Sequence, residues 1–126
     1  MSPDDRLYTK EHEWLKLDGD TGTVGITDHA QHELGDVVYV EVPKAGDKFT
    51  AGQTFGTVES VKAVSELFTP ASGEVLDVNQ ELGASPETIN KDPYGSGWMI
   101  RIRLSNKGET GNLMSAKQYD EYTKEH

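Results

Sequence analysis

One lysine stands apart from the other basic residues and offers a site for covalent modification. Lys62 is the only lysine or arginine between Lys48 and Lys91. It lies in residues 60–63, which are flanked on both sides by short runs rich in β-branched and aromatic residues. Such runs predict two strands joined by a tight hairpin, with the lysine amine in water at its tip. A modifying enzyme could acylate this one compact amine and ignore the other basic residues; the alternative is a solvated turn lysine.

Other kinds of chemistry find little support in the sequence. The chain has no cysteine, which excludes a thiol nucleophile, a disulfide and thiolate metal ligands. It also has no Gly-x-Ser-x-Gly elbow and no glycine-rich phosphate loop before a helix. We therefore expect no autonomous active site, and hence no enzyme.

Three histidines raise the question of a metal site. His29 and His32 are three residues apart on a predicted helix, and His12 precedes Glu13. Histidine and carboxylate side chains can bind zinc. A pair at this spacing without a third ligand is common, so the sequence favours histidines on a polar surface over a metal centre.

Length and charge limit the molecule's class and partners. The 126 residues predict a single domain, 1–126, large enough to bury its own core. The formal net charge of −10 disfavours nucleic acid and anionic membranes and favours proteins with basic docking surfaces. No apolar run suffices for a membrane span, and residues 1–5 lack signal-peptide character. We expect a cytoplasmic protein of bacterial type, with a processed mitochondrial protein as the alternative.

The first half of the chain predicts strands and one short helix. The expected strands cover residues 7–17, 23–26 and 37–42, and the helix lies near 28–34. Residues 27–28 offer an N-cap, and Gly35 stands where a C-terminal glycine is favoured. Val38, Val40 and Val42 are expected on one face of the third strand.

The second half predicts the lysine hairpin, a long loop, a strand and a last helix. The hairpin lies near 54–68, and residues 83–97 are loop-like, with one helical turn starting at Ser85. The strand 98–104 alternates, with four apolar residues expected on one face: Trp98, Ile100, Ile102 and Leu104. The C-terminal helix, near 115–124, begins with a capping box of Ser115 and Gln118. Many short strands with few helices indicate a mainly all-β barrel or sandwich.

Several blocks of the sequence, in order, carry a resemblance to a known family. They are 8–14 (YTKEHEW), 24–31 (VGITDHAQ), 59–63 (ESVKA) with 68–75 (FTPASGEV), 90–99 (NKDPYGSGWM) and 113–119 (LMSAKQY). Together they resemble the H-protein family of the glycine cleavage system over roughly residues 7–122. The resemblance implies a flattened β-barrel sandwich of the lipoyl and biotinyl carrier type. It also implies lipoate in amide linkage to Lys62, and Val61 and Ala63 beside the lysine favour lipoate over biotin.

The resemblance further implies a carrier function within a multi-enzyme system. The chain would take an aminomethyl group from a pyridoxal-phosphate glycine decarboxylase to a tetrahydrofolate-dependent aminomethyltransferase. It would then pass electrons to a flavin (FAD) dihydrolipoyl dehydrogenase. Lipoyl-attaching enzymes would be further partners, and a monomer suits a carrier that visits several enzymes.

The resemblance also assigns roles to four carboxylates. Glu13 is the first candidate to hold the aminomethyl amine in a surface cleft, Glu66 is the second and Glu11 the third. Glu59 begins block 59–63, which resembles the family's lipoyl-attachment motif, and it would guide the lipoyl-attaching enzyme. Glu33 occupies a place where some family members carry histidine, so no role of that histidine transfers to this chain.

Two alternatives remain open from the sequence. The chain would act as a lipoate-relay protein if its main task were to pass lipoyl groups to other acceptors. It would be an unmodified interaction module if Lys62 were a plain turn residue. Loading with an aminomethyl group by glycine decarboxylase would distinguish the glycine cleavage carrier from the relay protein. An unmodified mass of the chain from lipoate-competent cells would favour the interaction module.

Overall fold

Two antiparallel sheets form the frame of the molecule in a computed structural model that describes residues 2–125. The strands are β1 Leu7–Tyr8, β2 Glu13–Asp18, β3 Thr21–Ile26, β4 Val37–Glu41, β5 Lys48–Phe49, β6 Thr54–Ser60, β7 Val64–Phe68, β8 Gly73–Val78 and β9 Ile100–Leu104. One sheet has the order β1-β2-β3-β9-β8-β5, and the other has the order β4-β6-β7. This mainly β architecture confirms the expected fold class. The expected domain, 1–126, includes Met1 and His126, which lie outside the described residues.

Four short α-helices and one 3-10 helix complete the fold. They are α1 Asp28–Leu34, α2 Glu81–Ala84, α3 Thr88–Lys91 and α4 Ala116–Glu125, with the 3-10 helix at Lys107–Asn112. The hydroxyl of Thr27 accepts a hydrogen bond from Ala30 N–H and so caps α1. The Ser115 hydroxyl accepts from Gln118 N–H, and the Gln118 amide oxygen accepts from Ser115 N–H. Both predicted helices, near 28–34 and near 115–124, are confirmed with their caps.

Side chains from both sheets share one apolar core. Its most deeply buried members include Leu15, Val24, Val58, Val75, Ile100 and Ile102. Burial of this apolar surface is the main favourable term that holds the two sheets together. A second cluster, formed by Tyr8, Trp14, Ala116 and Tyr119, attaches α4 to the first two strands.

The predicted strand 7–17 is wrong as one continuous element. β1 and β2 are separate strands that pair with each other, Leu7 opposite Leu15 and Tyr8 opposite Trp14. The turn between them contains His12 at φ +71°, a left-handed conformation that is uncommon for a residue other than glycine. A propensity pattern does not reveal this reversal, because the residues on both sides of the turn favour strands.

The burial pattern of β4 also differs from the prediction. Val38 is exposed instead of sharing a buried face with Val40, because the ladder between β4 and β6 shifts register between Val37 and Tyr39. This β-bulge adds one residue to β4 and breaks the alternation.

The loop 83–97 also contains more structure than predicted. Part of α2 and all of α3 lie in it, and α3 begins at Thr88, after the turn that starts at Ser85. The strand β9 begins only at Ile100, and Trp98 packs against the second cluster instead of the main core.

Candidate functional site

The backbone at the tip of the β6–β7 hairpin is fixed by hydrogen bonds around Lys62. Ser60 N–H donates to the Ala63 carbonyl at 2.8 Å and closes the turn. The buried Ser60 hydroxyl oxygen accepts from Lys62 N–H at 3.1 Å and from Ala63 N–H at 3.2 Å. The Lys62 side chain is exposed, so the hairpin predicted near 54–68 presents its lysine outward.

A second set of contacts joins the tip to the connection between α1 and β4. Val61 N–H donates to the Asp36 carbonyl at 3.0 Å. Asn90 of α3 holds the residues on both sides of Asp36: its amide donates to the Gly35 carbonyl, and its side-chain oxygen accepts from Val37 N–H, both at 2.8 Å. The tip is therefore positioned by a residue 28 positions away in the sequence.

Gly35 lets the Lys62 stem lie against the end of α1. Its φ of +78° is the left-handed region that favours glycine after a helix. A Cβ at this position would stand 3.2 Å from Cε of Lys62, which is tighter than ordinary van der Waals contact. Absence of a side chain at Gly35 thus serves both the helix end and the packing of the lysine.

A surface cleft of about 490 Å³ opens between the start of β2, α1 and β7. Its walls combine carboxylates with apolar side chains. The carboxylates are Glu11, Glu13, Glu33 and Glu66, and the apolar residues include Ile26, Leu34, Val58, Val64, Leu67 and Phe68. Leu34 precedes Gly35, against which the Lys62 stem packs, so the cleft lies beside the lysine tip.

Glu13 is the buried carboxylate of the cleft, with only 2% of its surface exposed. One of its oxygens accepts from the Thr9 hydroxyl at 2.7 Å, and the other accepts from Phe68 N–H at 3.3 Å. Burial raises the pKa of Glu13 to about 7, because desolvation outweighs these two hydrogen bonds. Glu13 therefore changes its charge near neutral pH.

The other predicted carboxylates have different environments. Glu66 and Glu11 both line the cleft and are exposed. Glu59 is exposed on β6, opposite Val64 of β7, and the cleft-lining residues of the described chain do not include it. Glu33 joins the cleft, which sequence reasoning did not anticipate, and its carboxylate lies 3.5 Å from His29 Nε2.

Of the three histidines predicted on a polar surface, His12 and His29 are partly buried neighbours and His32 is exposed. His12 is half-buried: its ring lies 4.5 Å from that of His29, and its Nδ1 is 2.8 Å from the Tyr119 hydroxyl. Burial, and to a lesser degree His29, lowers the pKa of His12. His32 is exposed beside Asp28 on α1. Across residues 2–125, no group of three or more His, Cys, Asp or Glu side chains is arranged to hold a metal ion.

Sequence reasoning also missed the supports of the lysine tip. The Ser60 and Asn90 side chains bond to backbone groups, and Asp36 acts through its backbone carbonyl. Such bonds leave no pattern of charge or hydropathy in the sequence. A serine two residues before a predicted turn lysine was the one available signal, because serine hydroxyls often bond to nearby backbone amides.

None of the helices in the part of the chain that the structure describes has the length and hydropathy needed to cross a bilayer.

Comparisons with known proteins agree on one family. The family model described as "Glycine cleavage H-protein" matches residues 6–126. A glycine cleavage system H protein of Rubrobacter xylanophilus is 57% identical over 117 residues, which cover 93% of this chain and 90% of that protein. One of Halothermothrix orenii is 50% identical, with 98% and 96% covered. The crystal structure of such a protein from Mycobacterium marinum matches with a TM-score of 0.87 and 40% identity, covering 98% of both chains.

Proposed function

The chain belongs to the glycine cleavage H-protein family, and from this premise we propose that Lys62 carries lipoate in amide linkage. The protein is the lipoyl carrier of the glycine cleavage system and is not itself a catalyst. The observation that carries the proposal is the exposed Lys62 at a hairpin tip whose backbone is held by Ser60 and Asp36. An acylating enzyme needs an accessible amine on a fixed support, and this tip offers both.

The residues around Lys62 fit a lipoyl group. The apolar wall beside the tip, which includes Leu34, Val64 and Leu67, suits its hydrocarbon chain. When bound, lipoate would supply a disulfide–dithiol pair that can carry an aminomethyl group on one sulfur and, after that group has left, two electrons with two protons. The reactive chemistry belongs to the cofactors and the partner enzymes, and the chain's own residues hold and shelter what is carried.

Glu13 is the proposed partner of the aminomethyl amine. At the floor of the cleft its carboxylate has little contact with water, where a charge-assisted hydrogen bond to an ammonium is strong. An approaching ammonium favours the ionised form, so it would lower the pKa of Glu13 from about 7 and release a proton. Glu66 and Glu11, exposed at the cleft, would add negative charge around the amine, with Glu66 the second candidate and Glu11 the third.

The proposal includes named partners. Membership of the glycine cleavage system implies that the chain interacts with the enzymes of that system. We assign these as the glycine decarboxylase, the aminomethyltransferase and the dihydrolipoyl dehydrogenase, with lipoyl-attaching enzymes acting earlier at Lys62 and guided by Glu59. A monomer in the cytoplasm is part of the same proposal, and the bacterial origin of the relatives supports that location.

Mass spectrometry of the intact chain and of its peptides tests the attachment. Chain isolated from cells able to make lipoate should show a lipoyl-sized increment on the peptide that contains Lys62. Lys62→Arg should keep the fold and lose the increment, because arginine keeps the positive charge but is not acylated. Lys48→Arg, another exposed lysine, is the matched control and should keep the increment. Absence of the increment from wild type, with the attachment enzymes shown to be active, would refute the proposal.

Loading with the aminomethyl group tests the cleft. Glycine decarboxylase should load lipoylated wild type and lipoylated Glu13→Gln, since the lipoyl arm is present in both. The aminomethyl group should then be lost about tenfold faster from Glu13→Gln, the size expected for removal of one charge-assisted hydrogen bond. Equal rates of loss would remove Glu13 from this role and leave the attachment at Lys62 unaffected.

A further inference from the structure

Exposed apolar side chains gather around the lysine tip. Five large hydrophobic residues are exposed in residues 2–125, and four of them, Val38, Tyr39, Val61 and Val64, lie on the hairpin or on the neighbouring strand β4. Their exposed fractions range from 52% to 68%, against 38% for the fifth, Leu17, on the other sheet. Isolated exposed apolar residues are ordinary, but a contiguous group commonly marks an interaction site.

The strand register places two of these apolar residues, Tyr39 and Val64, in one row with Glu59 between them. Tyr39 of β4 pairs with Glu59 of β6, and Glu59 pairs with Val64 of β7. Directly opposed residues in antiparallel strands project from the same side of a sheet. All three are exposed, whereas the adjacent pair Val40 and Val58 is buried. The row therefore lies on the outer face of the three-stranded sheet, next to the tip.

Carboxylates lie within this row and at its border. Glu41 follows two positions after Tyr39 on the same face of β4, and Asp36 stands just before β4. Both are exposed, as is Glu59 within the row. In the described part of the chain, none of these three carboxylates is within ion-pair distance of a basic side chain or histidine. Their negative charge is thus available to a partner.

We propose that the outer face defined by Tyr39, Glu41 and Glu59, which meets the cleft at Val64, is the docking surface for the enzyme that acylates Lys62. The partner surface would be an apolar recess that takes Tyr39, bordered by lysine or arginine side chains that meet the carboxylates. Buried aromatic anchors supply much of the energy of protein interfaces, and complementary charges supply specificity and association rate. The inference rests on the proposed acylation of Lys62 and extends it to the recognition of the enzyme.

The short distance between the Lys62 amine and the hairpin tip indicates which partner uses this face. The amine of unmodified Lys62 is separated from the backbone by a four-carbon stem, so an enzyme that reacts at this amine must contact the tip and its surroundings. An enzyme that reacts with the far end of an acyl arm has no such need. The residues beside the stem are therefore the place where the acylating enzyme must recognise the chain.

Steady-state acylation of the unmodified chain tests the surface. A purified lipoate ligase with ATP and lipoate would be assayed at several concentrations of acceptor chain and at low and high ionic strength. Tyr39→Thr keeps a β-favouring residue on an exposed strand position and removes the aromatic ring. It should raise the KM for the acceptor about tenfold with little change in kcat. Glu41→Gln should raise the KM about threefold at low ionic strength, and high salt should diminish this difference.

Two control variants carry equivalent substitutions, one apolar and one acidic, at exposed positions away from the proposed docking surface. Leu17→Thr removes an exposed apolar side chain from the other sheet, and Glu121→Gln neutralises an exposed carboxylate on α4. Both should stay within about twofold of wild type, since a surface away from an interface adds little binding energy. Direct titration of the ligase with the Lys62→Arg forms of the same variants would report affinity without turnover, and it should give the same order.

Three results would overturn the inference in distinguishable ways. Tyr39→Thr and Glu41→Gln behaving like the two controls would refute the docking surface and leave acylation of Lys62 intact. Failure of wild type to be acylated at Lys62 by the active ligase would refute the proposed function and the docking surface with it. If pre-lipoylated Tyr39→Thr lost its loading by glycine decarboxylase while its acylation stayed normal, the face would serve the cleavage enzyme instead.

Discussion

At the scale of single residues, Glu13 is an ionisable group in a buried environment. Its carboxylate is buried, and two hydrogen bonds, from Thr9 and from Phe68 N–H, only partly offset the loss of water. The resulting pKa of about 7 means that the folded chain retains a proton that the unfolded chain releases near pH 4.5. Under the proposed function, an ammonium in the cleft would stabilise the ionised form of Glu13 that burial disfavours.

This raised pKa makes the stability of the unloaded chain depend on pH. Between about 4.5 and 7 the folded state binds more protons at Glu13 than the unfolded state does, so stability falls as pH rises. The contribution of Glu13 is fully present below the lower value and is lost as pH passes through the upper one. Urea unfolding should therefore show wild type losing roughly 2 to 4 kcal/mol relative to Glu13→Gln over this range.

Glu121→Gln serves as the control for this comparison, because that carboxylate is exposed. Its stability should follow wild type at every pH. A constant difference between wild type and Glu13→Gln from pH 4 to pH 8 would show that Glu13 has an ordinary pKa in the fold.

At the scale of elements, the lysine tip depends on α3. Asn90 bonds to the residues on both sides of Asp36, and the Asp36 carbonyl accepts from Val61 N–H at the tip. The short helix thus fixes the connection between α1 and β4, and this connection fixes the hairpin. None of these hydrogen bonds joins α3 to the tip directly.

Asn90→Ala should loosen the tip without touching it. The change leaves Val37 N–H and the Gly35 carbonyl without their partner and should cost about 1 to 3 kcal/mol in urea unfolding. Amide hydrogen exchange at Val61 should accelerate, because its acceptor at Asp36 is less well held. Asn112→Ala, at an exposed asparagine, should change neither quantity, and equal behaviour of the two variants would contradict this role of α3.

Local sequence signals predicted the elements better than the contacts between them. The caps at Thr27 and Ser115 and the alternation of Ile100, Ile102 and Leu104 depend on near neighbours, and they appear as expected. The reversal at His12 and the bulge at Val38 depend on pairing with distant strands, which propensity does not encode.

The site shows the same division between local pattern and distant contact. The family resemblance predicts Glu13, Glu66 and Glu11 as cleft carboxylates from their positions in the chain, and all three line one cleft. Sequence spacing gave no indication that Glu33 joins them or that Asn90 supports the lysine, since both depend on how α1 and α3 pack.

At the scale of the whole molecule, the second apolar cluster is linked to the cleft through Tyr119, which contacts the cleft residue His12. The second cluster holds α4 against β1 and β2, and the Tyr119 hydroxyl extends from it to the turn at His12. That hydroxyl lies 2.8 Å from His12 Nδ1 and 2.7 Å from the Thr27 hydroxyl, which caps α1. One phenol therefore links the C-terminal helix, the cleft turn and the first helix.

Tyr119→Phe should weaken this link while preserving the packing of the ring. Loss of the buried hydroxyl should cost about 1 to 2 kcal/mol in urea unfolding, because two polar groups lose a partner. Tyr39→Phe removes a hydroxyl from an exposed ring and should cost less than about 0.5 kcal/mol. A Tyr119→Phe protein as stable as Tyr39→Phe would show that the three elements are held together by packing alone.

The bulge in β4 has a consequence for how the chain behaves when crowded among copies of itself. β4 has a sheet partner on one side only, and Val38 and Tyr39 are exposed on it. A flat apolar strand with a free edge is a template for pairing with the same strand of another molecule, which is the first step of aggregation. The extra residue twists this edge, and Glu41 charges it, so an apolar surface can stay exposed beside Lys62 without becoming a seed for sheet growth.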